Sequence, residues 1–222
     1  MDSRENKATI KTGEFMKKLG TLLLTLVLAF TLCACDTEKK EAVKTVDAFY
    51  SALEEGSARK AQNYMSDDLQ SSLSSLTASI QSIEDMADQY GAEDETKNKL
   101  NDAFASVIRL CVKSHKINKT EKVSSSQHKV TVDVEMLDPD DISNALSTLD
   151  MNSFMTDISD QVMEKYSSEG EKAAQDFVMS SMADWISKNY TSALSALSYS
   201  HETVTVTVEN QNGAWLITDM DQ

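Results

Sequence analysis

Two segments alternate so regularly between apolar and polar side chains that half-buried β-strands are the only regular structure they fit. Lys129–Leu137, KVTVDVEML, sets Val130, Val132, Val134 and Met136 on one side and Lys129, Thr131, Asp133 and Glu135 on the other. His201–Asn210, HETVTVTVEN, sets Val204, Val206 and Val208 against threonines. A weaker strand over His115–Val123 precedes the first of these across an SSSQ hairpin loop, and Asn212-Gly213 turns the second into a last strand, Trp215–Met220. Strands with one apolar face make an antiparallel sheet covered on one side only.

The rest of the pattern is helical, and with one proline and six glycines in 222 residues there are few places to break it. Ala42, Val43, Val46, Phe49, Tyr50 and Leu53 recur at helical spacing, with Gly56 where a C-terminal cap belongs. A short helix, Ala58–Met65, follows. Ser66, ahead of Asp67 and Asp68, is placed to cap a longer helix that runs to Tyr90 and stops at Gly91. Its stripe of Leu69, Leu73, Leu76, Ile80, Ile83, Ala87 and Tyr90 faces Leu100, Phe104, Val107, Ile108 and Cys111 in an expected intramolecular hairpin; a coiled-coil assembly seam is the alternative. Asp138, with Pro139 behind it, starts a helical stretch to about Leu197, broken near Asp150 and at SSEG. Phe154, Ile158 and Val162 form one stripe there, and Phe177, Val178, Trp185, Ile186, Tyr190, Ala193 and Leu197 another. The expected class is α+β, with N-terminal helices on a four-stranded antiparallel sheet and a helical insertion at about 139–198.

The N-terminus follows different rules. Met16-Lys17-Lys18 leads into an apolar run, Leu19–Ala34, which ends in Leu32-Cys33-Ala34-Cys35 and then turns polar. A basic start, a short apolar core and small residues make a secretory signal. As a helix the 16-residue run spans ~24 Å, short of the ~30 Å hydrocarbon core of a bilayer. Leu32–Cys35 resembles the lipobox of bacterial lipoproteins. That resemblance implies cleavage between Ala34 and Cys35 and a diacylglyceryl group on Cys35, which then anchors the mature chain to the outer face of the cell membrane. Cys33 leaves with the signal, so the two cysteines form neither a disulfide nor a metal pair. The polar first fifteen residues fit an over-long gene start, with Met16 as initiator. Residues 35–40 become a lipidated tether, and 41–222 a single domain.

Residues 1–35 hold 5 Lys/Arg and 3 Asp/Glu, which leaves 16 basic and 33 acidic residues in the remaining 187, a net charge of −17. Such a surface repels nucleic acid and anionic headgroups, so neither is an expected partner, and the lipid carries the attachment alone. Two acyl chains suffice for that.

A second resemblance lies at the two ends of this domain. AVKTVDAFYSALEEGSARKAQNYM and VTVTVENQNGAWLITDM, with Gly56, Lys60 and Ala61 in one and Asn212, Gly213 and Trp215 in the other, are similar to the nuclear transport factor 2-like fold in uncharacterised lipoproteins of Gram-positive bacteria. The likeness implies a curved sheet wrapped on helices, in a fold that serves enzymes, ligand binders and interaction modules alike. Its motifs are structural and bring no catalytic residue.

Candidates for chemistry are few. His115 and His128 start successive antiparallel strands and so fall at opposite ends of the sheet, which makes a site of both with His201 geometrically awkward. Cys111, on an apolar stripe, reads as an inert buried thiol. LDPDD lacks the glycine and distal glutamate of a calcium loop and reads as helix capping. Asp133 and Glu135 lie on the water-facing phase of their strand, so no acid is visibly placed in a pocket. Phe177, Trp185 and Tyr190 are the candidates for lining a ligand cleft between insertion and sheet. The expectation is a monomeric, non-enzymatic, membrane-anchored binding module without cofactor or metal; the alternative is an enzyme with a buried acid in a conical pocket.

Overall fold

The computed structural model describes residues 37–221, of which those from Ala42 onward belong to one compact unit. The signal segment, Met16, Cys33, Ala34 and Cys35 lie outside the described residues.

Helix α1 (37–54) ends as Gly56 predicts. Gly56 takes φ +84°, the Ser57 N–H donates to the Ala52 carbonyl at 2.7 Å, and the Arg109 guanidinium donates to the Glu55 carbonyl at 3.0 Å. Helix α2 (Ala58–Gln62) stops three residues before the expected Met65. The reason is a competing partner: the Ile217 N–H donates to the Tyr64 carbonyl and the Ser66 N–H to the Ile217 carbonyl, both at 2.8 Å. This short parallel bridge occupies the edge of the last strand. Helix α3 (Asp67–Gln89) starts after Ser66, which is buried and makes no side-chain cap bond, contrary to the expected capping role. Helix α4 (Asp94–Cys111) then runs without a loop into the first strand.

The sheet is antiparallel throughout, with strand order β1 (Val112–Lys122), β2 (Gln127–Leu137), β3 (Tyr199–Gln211), β4 (Ala214–Asp221). Val130 pairs with Val206 and Val132 with Val204, so the valines of the two alternating segments meet on one face. That face and α1 bury Val46, Phe49, Tyr50, Val134, Val208 and Ile217 with them. The β3–β4 turn is the anticipated one, with φ +56° at Asn212 and +94° at Gly213.

Three helices connect β2 to β3: α5 (Pro139–Ser147), α6 (Met151–Glu169) and α7 (Glu171–Ser195). The Asp138 carboxylate accepts from the N–H groups of Asp140 and Asp141 at 2.8 and 3.2 Å, and Asp150 caps α6 in the same way. Helix α7 packs on α4 and α6. The residues buried on it are Ala174, Met179, Ala183, Ile186 and Leu194, of which Met179 and Ala183 share a core with Leu100 of α4. Lys99 of α4 reaches Ser180 and Asp184 of α7 at 3.1 and 2.6 Å. The α3–α4 hairpin is thus a minor contact, around Ile80–Ile108 and Ala87–Leu100, and the long apolar face of α4 serves α7 instead.

Candidate functional site

The interior between α1 and the sheet is filled by side chains. Ala42, Val46, Ala61, Val130, Val132, Val206, Val208 and Ile217 have no solvent exposure. Among the described residues no Asp or Glu is buried; the buried polar side chains are Thr45, Ser66, Thr77, Thr96, His128 and Thr207. His128 sits on the core phase of β2, two residues before Val130, with its ring 5.3 Å from that of Trp215. The signal for it was present: extending the β2 alternation backwards by one step places His128 with the valines.

The other histidines separate as their registers dictate. His115 pairs with Val134 on the core face, while His201 pairs with Glu135 on the opposite face, and His128 lies at the far end of the hairpin beside Lys122. No metal-ligating cluster of three residues occurs among the described residues. His115 instead meets α1: its Nδ1 lies 2.7 Å from Glu54 Oε1, its Nε2 3.2 Å from Asp47 Oδ1, and its ring stacks on Tyr50 with centroids 5.3 Å apart. Asp47, Tyr50 and Glu54 share one face of α1 at spacings of three and four. With a carboxylate at each nitrogen, the imidazole ties β1 to α1 and leaves neither nitrogen open to a substrate. Burial pushes the Tyr50 hydroxyl up to about 12.

On the water-facing side of the sheet, Asn118 and Thr203 hydrogen-bond the Asp133 carboxyl and hold its pKa down, the latter at 2.9 Å. Lys113, 2.6 Å from Glu135, acts on that carboxyl in the same direction. Cys111 is half-buried on α4 with its thiol 3.5 Å from the Val107 carbonyl, and burial pushes its pKa up, away from the thiolate that nucleophilic chemistry needs.

Clefts among the described residues open between helices. One of about 300 Å³ is floored by Ala58, Ile80, Phe104 and Ile108, and an adjoining one of about 260 Å³ by Ala87 and Leu100. Arg59, Glu84 and Asn101 line both. Arg59 spans from α2 to α3, donating to Gln81 Oε1 at 2.9 Å and pairing with Glu84. A third cleft, of about 390 Å³, lies along Lys165, Glu169, Lys172, Asp176 and Phe177. No strand residue lines any of these.

The predicted aromatic trio is only partly assembled. Trp185 packs against Phe154 at 5.4 Å and Tyr190 at 5.6 Å, which makes it a joint between α6 and α7, while Phe177 lies in the third cleft. The expected location is corrected, since the α7 face packs on α4 and α6 rather than across a cleft from the sheet. The described part of the α3 stripe is spent inside the chain, with Ile80 and Ala87 buried, whereas Tyr90 is exposed.

No helix among the described residues is long and apolar enough to cross a membrane. No protein-family model matches the chain, and no curated protein matches it. Among solved structures it is similar to a candidate lipoprotein, ycdA, of Bacillus subtilis, at 15% identity over 84% of this chain and with a TM-score of 0.35. The chain spans about half the length of that protein, 54%. At that score the two share too little geometry for fold detail or function to pass from one to the other.

Proposed function

We propose that the chain is a lipid-anchored protein of the cell envelope, held at the outer face of the membrane through Cys35, and that its folded part is a non-enzymatic binding or interaction module. The observation that carries this reading is the order of residues before Cys35: two lysines, sixteen residues of apolar run too short to span a bilayer, and the Leu-Cys-Ala-Cys that resembles a lipobox. The residue after the cysteine begins a polar segment, of which residues 37–40, expected as tether, form the start of α1.

For the folded part, a nuclear transport factor 2-like reading is supported by α1 lying on one face of a four-stranded antiparallel sheet and by the Asn212-Gly213-x-Trp215 hairpin. On this reading α5–α7 are an insertion into the minimal fold. The non-enzymatic reading draws on the packed interior without a buried carboxylate among the described residues, and on the engagement of both His115 nitrogens by carboxylates.

Cys35→Ala tests the anchor. In cells fed radiolabelled palmitate, the native chain is expected to take up label and to move to the membrane fraction as a shortened product. The variant is expected to remain unlabelled and unprocessed. Label on the variant, or cleavage at the same bond, refutes the assignment.

A further inference from the structure

Two apolar hollows meet at one polar junction beside α2. The cleft of about 300 Å³ runs over Ala58, Ile80, Phe104 and Ile108, and the adjoining one of about 260 Å³ over Ala87 and Leu100. Their floors belong to the two small cores that α3 shares with α4, so both are apolar below and open to water above. Arg59, Glu84 and Asn101 line both clefts, and each has bonding capacity left over. Arg59 reaches Gln81 Oε1 and Glu84 Oε2 through Nη2 alone, so its Nε and Nη1 groups donate to nothing among the described residues. Glu84 accepts at Oε2 and keeps Oε1. Asn101, exposed on α4, has no side-chain hydrogen bond among the described residues, and its amide offers both a donor and an acceptor.

Charge restricts what can enter. Three bases and four acids line the two clefts together, and Lys60–Glu55 and Lys97–Asp88 are already paired at 3.1 and 2.6 Å. An anion that reaches Arg59 also meets Glu84, and a cation that reaches Glu84 also meets Arg59. A molecule carrying both charges uses the two free edges without breaking the pair. Each apolar floor takes one apolar side chain, and the Asn101 amide between them matches the N–H and C=O of a peptide bond. We infer that the joined clefts bind a free dipeptide with two apolar side chains, its carboxylate on Arg59, its ammonium on Glu84 Oε1 and its peptide bond at Asn101. The larger cleft alone reaches the lower end of small-molecule sites, ~300–1,000 Å³. The inference rests on the binding-module reading, to which it gives a ligand, and does not depend on the anchor.

The test uses the full chain held in nanodiscs of zwitterionic lipid, with empty discs as the blank, titrated calorimetrically with leucyl-phenylalanine. Binding is expected. Acetylating its amine or amidating its carboxylate is expected to lower affinity ~10-fold or more each. Glycylglycine, with both charges and no side chains, is expected not to bind. Arg59→Gln is expected to weaken the free dipeptide and erase its advantage over the amide, while its advantage over the acetylated form persists; Glu84→Gln is expected to do the reverse. Asn101→Ala, at an exposed position, is expected to weaken all three ligands alike with an unchanged urea midpoint, which keeps the test readable if the variants of the Arg59–Glu84 pair lose stability. Lys165→Gln, in the third cleft, is expected to change nothing. The inference is overturned if the dipeptide does not bind, if its caps make no difference, if glycylglycine binds equally, or if Lys165→Gln loses as much as Arg59→Gln. Absence of binding leaves a non-enzymatic module for another ligand standing. Release of free leucine and phenylalanine refutes the non-enzymatic reading, and the site is then decided by the same pattern of caps and variants.

Discussion

Gly56 turns the chain between α1 and α2 at φ +84°, in the left-handed region that a side chain makes costly. A Cβ there would also collide with the backbone of Ala105, at its carbonyl oxygen, carbonyl carbon and Cα. Backbone in the middle of α4 has no rotamer to move. Gly56→Ala is therefore expected to destabilise by more than about 2 kcal/mol, against about 1 kcal/mol for the same change at Gly213, where φ +94° strains the backbone but nothing lies within 4 Å of the added carbon. Equal urea midpoints for the two variants would contradict the collision. Tyr50 supplies a pH dependence of known sign. Burial raises its pKa from 10.0 to about 12, so the fold favours the neutral phenol. The stabilisation is complete below pH 10.0 and is lost between there and about 12, as the unfolded chain gains phenolate that the fold resists. A gap of about two units corresponds to about 2–3 kcal/mol. Tyr50→Phe is expected to flatten this part of the alkaline loss in urea titrations, and an unchanged profile would show that the phenol ionises freely in the folded chain.

Among the elements, α5 depends most on its cap. None of its residues is buried, so packing contributes little and the two N–H groups held by Asp138 weigh more. Asp138→Ala is expected to cost about 1 kcal/mol and to speed amide exchange in α5 before it affects β2; uniform protection loss would mean that α5 and the sheet open together. The Asp138-Pro139 start was plain in the sequence because a cap is a local device. So were β2 and β3, since a sheet open to water on one side writes its period into the residues. β1 was fainter, because irregularities between Val112 and Ser114 and between Ile117 and Lys119 shift its phase and break the alternation. His128, read in the sequence as the start of its strand, is buried because it falls in the same phase as Val130 and Val132. The α7 contact left little trace in the pattern for a physical reason: the core it shares with α4 uses Met179 and Ala183, while the larger Phe177, Trp185 and Tyr190, which dominate a hydrophobicity pattern, are only half-buried. The His115 cluster had no local signal at all, since its carboxylates come from 61 and 68 residues away.

At the scale of the whole molecule, the dominant feature is charge. With 16 basic and 33 acidic residues after position 35, acids outnumber bases about two to one, and self-repulsion opposes compaction. Ion pairs work the other way, but those of the fold are largely at the surface. Lys60–Glu55 leaves both side chains more than 60% exposed, and Lys99–Asp184 leaves them 41% and 67% exposed. Such pairs contribute ~0–1 kcal/mol each. Salt weakens both effects, and the net sign follows from which is larger. Raising ionic strength from about 0.01 M to about 0.15 M shortens the screening length from ~30 Å to ~8 Å. The shorter length removes repulsion between acids on different helices, while ion pairs already in contact lose less. The melting temperature is therefore expected to rise with sodium chloride, by about 3–6 °C for a gain of ~1–2 kcal/mol in a chain of this size. Asp160→Lys/Glu164→Lys changes the net charge by four and is expected to reduce that slope. A melting temperature that stays level or falls with salt would mean that the surface pairs outweigh the excess of acids.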